Sequence, residues 1–388
     1  MLVLVSGTIW AGLVVYLLSR ALRQFRAYRI TALISSGGLA PLPDVSIIVP
    51  VRNEIDNIDR CIAGLTAQTC LTRRSSIMIV DDESQDGTVE ALQRLAARKS
   101  RIRLVAAGAL PEGWFGKPHA CWRGALAAET EWLCFIDADV RAAPGLVAAA
   151  IATAEAQRID MLSLHPLQEL GSFWERVVIP AGLLMIACAK PFRTAAEDAA
   201  NGQFLLIRRD AYFGAGGHAA VRDEICEDKA LAARVREEGL KFRVFGAEPL
   251  AQTRMYRDFG SLWEGLSKNA TEILGSARAT LIAAAAAFTV GWTALLLPWV
   301  LAVIAFREPS APAIIGGGLA LFGSVVVIGI QLATSRHFRI PAAFGLTFAL
   351  GYTVAACLAC RSVMARIEGR VTWKGRTYQL HKTSPERM

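Results

Sequence analysis

Ile77-Met78-Ile79-Val80-Asp81-Asp82-Glu83-Ser84-Gln85-Asp86-Gly87-Thr88 carries the decision about the fold: four strand-like apolar residues run directly into an acidic turn that opens a helical stretch reaching Arg98. Upstream lies a second β-rich run, Val45-Ser46-Ile47-Ile48-Val49-Pro50, followed by Arg52-Asn53-Glu54 and a helical pattern to about Gln68. Downstream come a strand near Ile102–Ala106 and another at Trp132–Ile136. Strands alternating with helices predict an α/β domain built on a doubly wound, mostly parallel sheet. Ligands of such sheets sit at the carboxyl ends of the strands. Asp81 and Asp82 fall at one such end, although Asp, Ser and Gly there equally suit a turn that caps the next helix.

Two further acidic spots change the weighing. The strand Trp132–Ile136 ends in Asp137-Ala138-Asp139. In an extended chain residues i and i+2 point the same way, so both carboxylates are expected to face one ion. Hard oxygen ligands suit Mg²⁺ or Mn²⁺, which hold substrate phosphates with one or two protein carboxylates. Glu227-Asp228 opens a helical stretch, Lys229–Glu238, after the glycine-rich Gly214–Gly217. Capping is the plain alternative there. Three acidic clusters at successive element boundaries point to a site.

Composition adds a membrane. The 388 residues are 53% hydrophobic and 20% charged, with net charge +8. Those proportions exclude intrinsic disorder and a small disulfide scaffold. Residues 2–19 are apolar or small, and Arg20, Arg23, Arg26 and Arg29 follow, which reads as an uncleaved anchor over residues 1–30 with the next segment cytosolic. Residues 279–364 hold three more apolar stretches, Ala279–Phe306, Ile314–Thr334 and Pro341–Met364, before a basic tail at 365–388. Four full crossings would leave that basic tail outside, so one C-terminal segment is expected to be re-entrant or interfacial. Val177–Ala189, within a membrane-facing segment near 173–193 that ends at Lys190, is too short to span. The eight scattered cysteines suit a reducing compartment, and Cys357-x-x-Cys360 sits in an apolar run without a second ligand pair, as expected of helix packing.

Val49-Pro50-Val51-Arg52-Asn53-Glu54, the Asp81–Thr88 turn, Asp137-Ala138-Asp139 and Glu227-Asp228 together resemble family 2 glycosyltransferases of the GT-A fold. Within them the chain is similar to membrane enzymes that glycosylate carotenoid or hopanoid lipids. The finer signatures are Leu110-Pro111-Glu112-Gly113-Trp114-x-Gly116-Lys117, Asn201-Gly202-Gln203-Phe204, Gly216-Gly217-His218, Arg254-Met255-Tyr256 and Trp373-Lys374-Gly375-Arg376. The resemblance implies a catalytic domain over residues 44–275. It implies a nucleotide-sugar pocket of Pro50, Arg52, Glu54 and Asp81 or Asp82. Asp137 and Asp139 would hold a divalent cation against the diphosphate, with Lys117 adding a positive charge. Asp228, beside Glu227, would be the general base of a single inverting displacement.

The Gln-x-x-Arg-Trp motif of processive members is replaced by Trp263-Glu264-Gly265-Leu266-Ser267-Lys268-Asn269. Trp263 and Lys268 are expected to take over its stacking and phosphate roles, His218 to lie near the diphosphate or acceptor, and His119 in the scaffold. The expected reaction moves a hexose or N-acetylhexosamine, UDP-linked by family likeness, to a membrane lipid hydroxyl at the cytosolic face of a bacterial inner membrane. A polyprenyl-phosphate acceptor, a polysaccharide synthase and a non-catalytic nucleotide-binding membrane protein are the rivals. A dehydrogenase lacks its glycine-rich first turn here, and nucleic acid is disfavoured because the positive charge flanks apolar spans.

Overall fold

The computed structural model describes residues 1–27, 33, 43–189 and 200–380. Arg29, Lys190, Lys382 and Arg387 lie outside the described residues, as do the ends of segments 1–30, 173–193 and 365–388 that contain them. Helix α1 (Leu2–Ala27) leads into β1 (Val45–Val51), α2 (Ile58–Thr66), β2 (Ser76–Asp81), α3 (Thr88–Arg98) and β3 (Ile102–Ala106). Next come α4 (Gly116–Leu126), β4 (Trp132–Ile136), β5 (Val140–Ala142), α5 (Leu146–Gln157), β6 (Met161–His165) and β7 (Leu167–Gln168). Helix α6 (Phe173–Ala189) precedes β8 (Phe204–Arg208), α7 (Arg209–Gly214), α8 (Glu227–Glu237), β9 (Phe242–Gly246), β10 (Ala251–Thr253) and α9 (Phe259–Leu274). Three long helices, α10 (Ala277–Arg307), α11 (Ala311–His337) and α12 (Phe348–Ile367), are followed by the strands β11 (Arg370–Trp373) and β12 (Arg376–Gln379).

The central sheet runs β3-β2-β1-β4-β8-β6-β9 and is parallel except at β8, which pairs antiparallel with both β4 and β6. Strands covered on both faces read as apolar runs, as β1 does over Ile47–Val51 and β2 over Ile77–Val80. Their alternate residues divide between two cores: Ile47, Val49, Ile77 and Ile79 pack with α2 and α5, while Ile48, Met78 and Val80 pack with α4 and α8. Gly124 is required on α4, because a Cβ there would stand 2.5 Å from Ile48 Cγ2. The consequence is that β1, β2 and β4 deliver their carboxyl ends, with the acidic residues, to one edge. Asp137-Ala138-Asp139 is not extended as expected. It is a turn, closed by Val140 N–H donating to the Asp137 carbonyl at 3.1 Å, so the two carboxylates are set by turn geometry instead of strand alternation.

Beside this domain stands a helical bundle. Leu2–Arg23, Ala277–Arg307, Ala311–His337 and Ala342–Ile367 are long and apolar enough to cross a membrane. Close approach of α1 and α11 rests on small residues: a Cβ on Gly7 would lie 2.1 Å from the Gly316 carbonyl oxygen. Ile9, Val15, Trp299, Phe306, Ile314 and Val325 are exposed on the bundle's outside. Cys357 and Cys360 are exposed on α12 and unbonded.

Helix α6 continues unbroken through Pro180 and packs into the bundle, where Gly351 of α12 meets the Val177 carbonyl. Its first turn is anchored by Glu175, which is 0% exposed and accepts from Gly171 N at 3.1 Å, Ser172 N at 2.5 Å, and Arg254 Nε and Nη2 at 3.2 and 3.0 Å. Arg254 thus fastens α6 to the segment after β10. Both flanks of Ala342–Ile367 return to the α/β domain: Arg339 pairs with Glu248, and Lys374 pairs with Glu54.

Candidate active site

One cavity of about 1480 Å³ opens at the carboxyl edge of the sheet and extends between the bundle helices. Its polar end is lined by Pro50, Arg52, Glu54, Asp82, Lys117, Asp137, Asp139, Glu227, Asp228 and Lys268. Its far end is lined by Leu18, Ala21 and Leu22 of α1, Leu183 and Ile186 of α6, and Ile330 and Ala333 of α11. Three of the residues expected at the site stand elsewhere. Asp81 turns back to accept from Ser84 N at 3.3 Å, which is the turn-capping role. His218 is buried, with its Nδ1 2.9 Å from the Tyr212 hydroxyl, and burial pushes its pKa down to about 4. Trp263 packs against Phe259 in the apolar cluster under α6 and lies outside the cavity lining. His119, expected in the scaffold, is buried beside Trp114.

Lys117, on the first turn of α4, is the electrostatic hub. Its ammonium lies 2.8 and 2.9 Å from the two oxygens of Asp137 and 3.0 Å from Glu227 Oε1. Burial raises the pKa of Glu227, but Lys117 and Lys268 outweigh it and hold the carboxyl below its usual range. Asp228 is the opposite case. It accepts from Gly202 N at 2.6 Å and Lys229 N at 2.8 Å, yet burial first and Glu227 second push it up to about 6. Neighbouring carboxylates whose environments drive their pKa values apart have the character of one fixed charge and one proton acceptor.

At the other end of the polar wall, Arg52 grips the turn after β2, its Nη1 donating to the carbonyls of Asp82 at 2.5 Å and Glu83 at 3.1 Å. Asp82 receives Arg376 Nη1 on both oxygens, at 2.7 and 2.6 Å, and Glu54 receives Lys374. Trp373, Lys374 and Tyr378 line the cavity, and sequence reading gave the Trp373–Arg376 signature no role. A signal was present: Lys374-Gly375 between Thr372-Trp373 and Arg376-Thr377 is a two-residue hairpin turn, and both turn residues have positive φ, 45° and 77°. Asn201 and Asn269 are further lining residues without an assigned role.

Residues 46–226 match the family model for glycosyl transferase family 2. The chain carries a family 2 glycosyltransferase domain. It is 27% identical over 260 residues to the 4,4'-diaponeurosporenoate glycosyltransferase of Staphylococcus aureus strain MRSA252, covering 65% of this chain and 68% of that one. The same-named protein of strain USA300 is 26% identical over 260 residues, with the same coverage. Among solved structures, this glycosyltransferase is similar to the mannosyltransferase PcManGT of Pyrobaculum calidifontis, solved with GDP-Man and Mn²⁺. The TM-score is 0.56 at 17% identity, over 94% of this chain and 99% of that one. That likeness establishes the fold, GT-A.

A divalent cation is implied by the fold family, and the residues fit one. Asp139 Oδ1 is buried with no hydrogen-bond partner. Burial and Asp137 push the Asp139 carboxyl up to about 7, as expected of an anion lacking its counter-charge. Among the described residues no group of three or more His, Cys, Asp or Glu converges. Two carboxylates with substrate phosphates completing the shell is the usual arrangement for Mg²⁺.

Proposed function

We propose that this glycosyltransferase moves a hexose or N-acetylhexosamine, with inversion, from a nucleotide sugar to the hydroxyl of a carotenoid-type membrane lipid. A UDP-linked donor is the first choice. The observation that carries the proposal is the single cavity that runs from Asp137, Asp139 and Asp228 to apolar residues of α1, α6 and α11. A water-soluble acceptor has no use for such a slot, whereas a long apolar molecule can lie in it and present a polar end to Asp228. The names of the Staphylococcus aureus relatives support a carotenoid-type acceptor.

In the mechanism, Arg52 orders the Asp82–Glu83 turn that borders the nucleoside, with Pro50 and Glu54 beside it. Asp137 and Asp139 would hold the divalent cation, which neutralises charge building on the departing diphosphate. Lys117 holds Asp137 and Glu227 in place and favours the charged form of each, against the burial that raises Asp137. Asp228 takes the proton of the acceptor hydroxyl as the anomeric carbon is attacked.

Domain placement follows the same reading. The catalytic unit covers residues 44–275 and lies on the cytosolic face of a bacterial inner membrane. Arg20 and Arg23 at the domain-side end of α1 support this through the positive-inside bias. Ala342–Ile367 is re-entrant on this reading, since both its flanks meet the α/β domain, and the basic end of the chain stays cytosolic.

The test is transfer of label from a panel of UDP- and GDP-sugars into an organic-extractable product, with Mn²⁺ and a membrane lipid extract. Label reaching only water would count against the proposal. EDTA is expected to stop transfer. Asp139→Ala is expected to remove the cation dependence of nucleotide binding; titrations with and without Mn²⁺ that match wild type would take Asp139 out of that role.

A further inference from the structure

The strand pair β11–β12, which follows the last apolar helix, is tied into the polar end of the cavity. Arg376 Nη1 engages both Asp82 oxygens and its Nη2 meets Glu83. The Lys374 ammonium pairs with Glu54 and donates to the Arg52 carbonyl at 2.8 Å, while its backbone N–H donates to Glu264 Oε1 at 2.8 Å. The Tyr378 ring lies 4.6 Å from that of Phe115. Gly116 is a condition of this seam, since a Cβ there would stand 2.2 Å from Asp82 Oδ2. Lys374 and Arg376, the two cations at the hairpin's turn, are consumed by these carboxylates.

Trp373 is not consumed. It lines the cavity, and the Lys268 ammonium sits 4.4 Å from its ring centroid. The cavity's other lysines and arginines are engaged: Lys117, Arg254 and Lys374 by carboxylates, Arg52 and Lys229 by carbonyls, and Arg257 by Asn57. Among the described residues, Lys268 has no such bond and meets only the aromatic face. The stack holds the ammonium in position while leaving its N–H donors for an anion. Its location selects the anion. Lys268 feels Glu227, Lys117 and Asp137 on one side, and Trp373 joins it to the Glu54 and Asp82 end on the other. A group spanning from nucleoside to cation carboxylates passes that point.

We propose that Lys268 binds the diphosphate of the donor and that Trp373, from the C-terminal hairpin, is its positioning residue. The proposal rests on the nucleotide-sugar reading above. It moves the aromatic partner of Lys268 from Trp263, in its own helix, to the far end of the chain.

The test is calorimetric titration of full-length protein in detergent, with Mn²⁺ throughout, comparing UDP with uridine and GDP with guanosine. Lys268→Met is expected to weaken the diphosphate by about 10- to 100-fold, the worth of one charge-assisted hydrogen bond, and to leave the nucleoside unchanged. Trp373→Ala should show the same selective loss, smaller, and Trp373→Phe should restore most of it. Nucleoside and diphosphate weakening in parallel, or a diphosphate affinity unmoved by Lys268→Met, overturns the assignment. If wild-type protein binds neither diphosphate, the donor reading itself fails and the assignment goes with it.

Discussion

Asp228→Asn is expected to lower turnover by about 10²–10⁴-fold, the usual contribution of a positioned general base, while nucleotide affinity stays near wild type. The amide keeps the shape of the side chain but cannot take a proton from the acceptor. One of the two N–H donors now serving Asp228, from Gly202 and Lys229, loses its acceptor, so about 1–3 kcal/mol of stability is lost as well. Retained nucleotide binding separates that cost from the chemical one. The wild-type pH profile carries the same claim. With burial and Glu227 holding Asp228 up to about 6, the ionised, proton-accepting form is lost as pH falls through that value, and kcat/KM should fall with it. The variant should lack this acid limb. Turnover close to wild type would remove Asp228 from the base role and imply a nucleophile that arrives already ionised.

The second large effect concerns stability. Arg254→Leu is expected to cost about 3–5 kcal/mol, because it strands the fully buried carboxylate of Glu175 without its cation. The two backbone N–H groups of Gly171 and Ser172 remain on that carboxylate but do not neutralise it. Since the pair fastens α6, the loss should appear as earlier thermal unfolding in detergent. Replacing both partners by leucine should recover much of the deficit. A single variant as stable as the double one would show that the pair does not carry this load.

Much of the fold was legible because of how parallel strands are buried. β1, β2 and β4 need apolar side chains on both faces, so they stand out as short apolar runs, and the carboxyl-end rule then singles out the acids that follow. What local pattern could not settle was direction. Asp81 and Asp82 are adjacent at one strand end and face opposite ways, Asp81 into its turn and Asp82 into the cavity. Asp137 and Asp139 meet the same cavity through a turn, where strand alternation had been the expected device.

Long-range partners were the least visible. Trp263 was the natural neighbour for Lys268 by sequence, yet it faces the apolar cluster while Trp373 supplies the ring. Lys117 was expected to meet phosphate, and its position between Asp137 and Glu227 depends on α4 lying tight on the sheet through Gly124. The signature Arg254-Met255-Tyr256 holds α6 through its arginine, a role no spacing rule conveys.

The account depends on one chamber serving both a phosphorylated donor and an apolar acceptor. Ile330, on α11, lines the apolar end, remote in sequence from every carboxylate of the polar end. Filling that end with Ile330→Trp and measuring lipid glycosylation beside UDP affinity tests the claim most directly. Loss of transfer to lipid with UDP binding intact is the predicted result. Unimpaired transfer to lipid would contradict it.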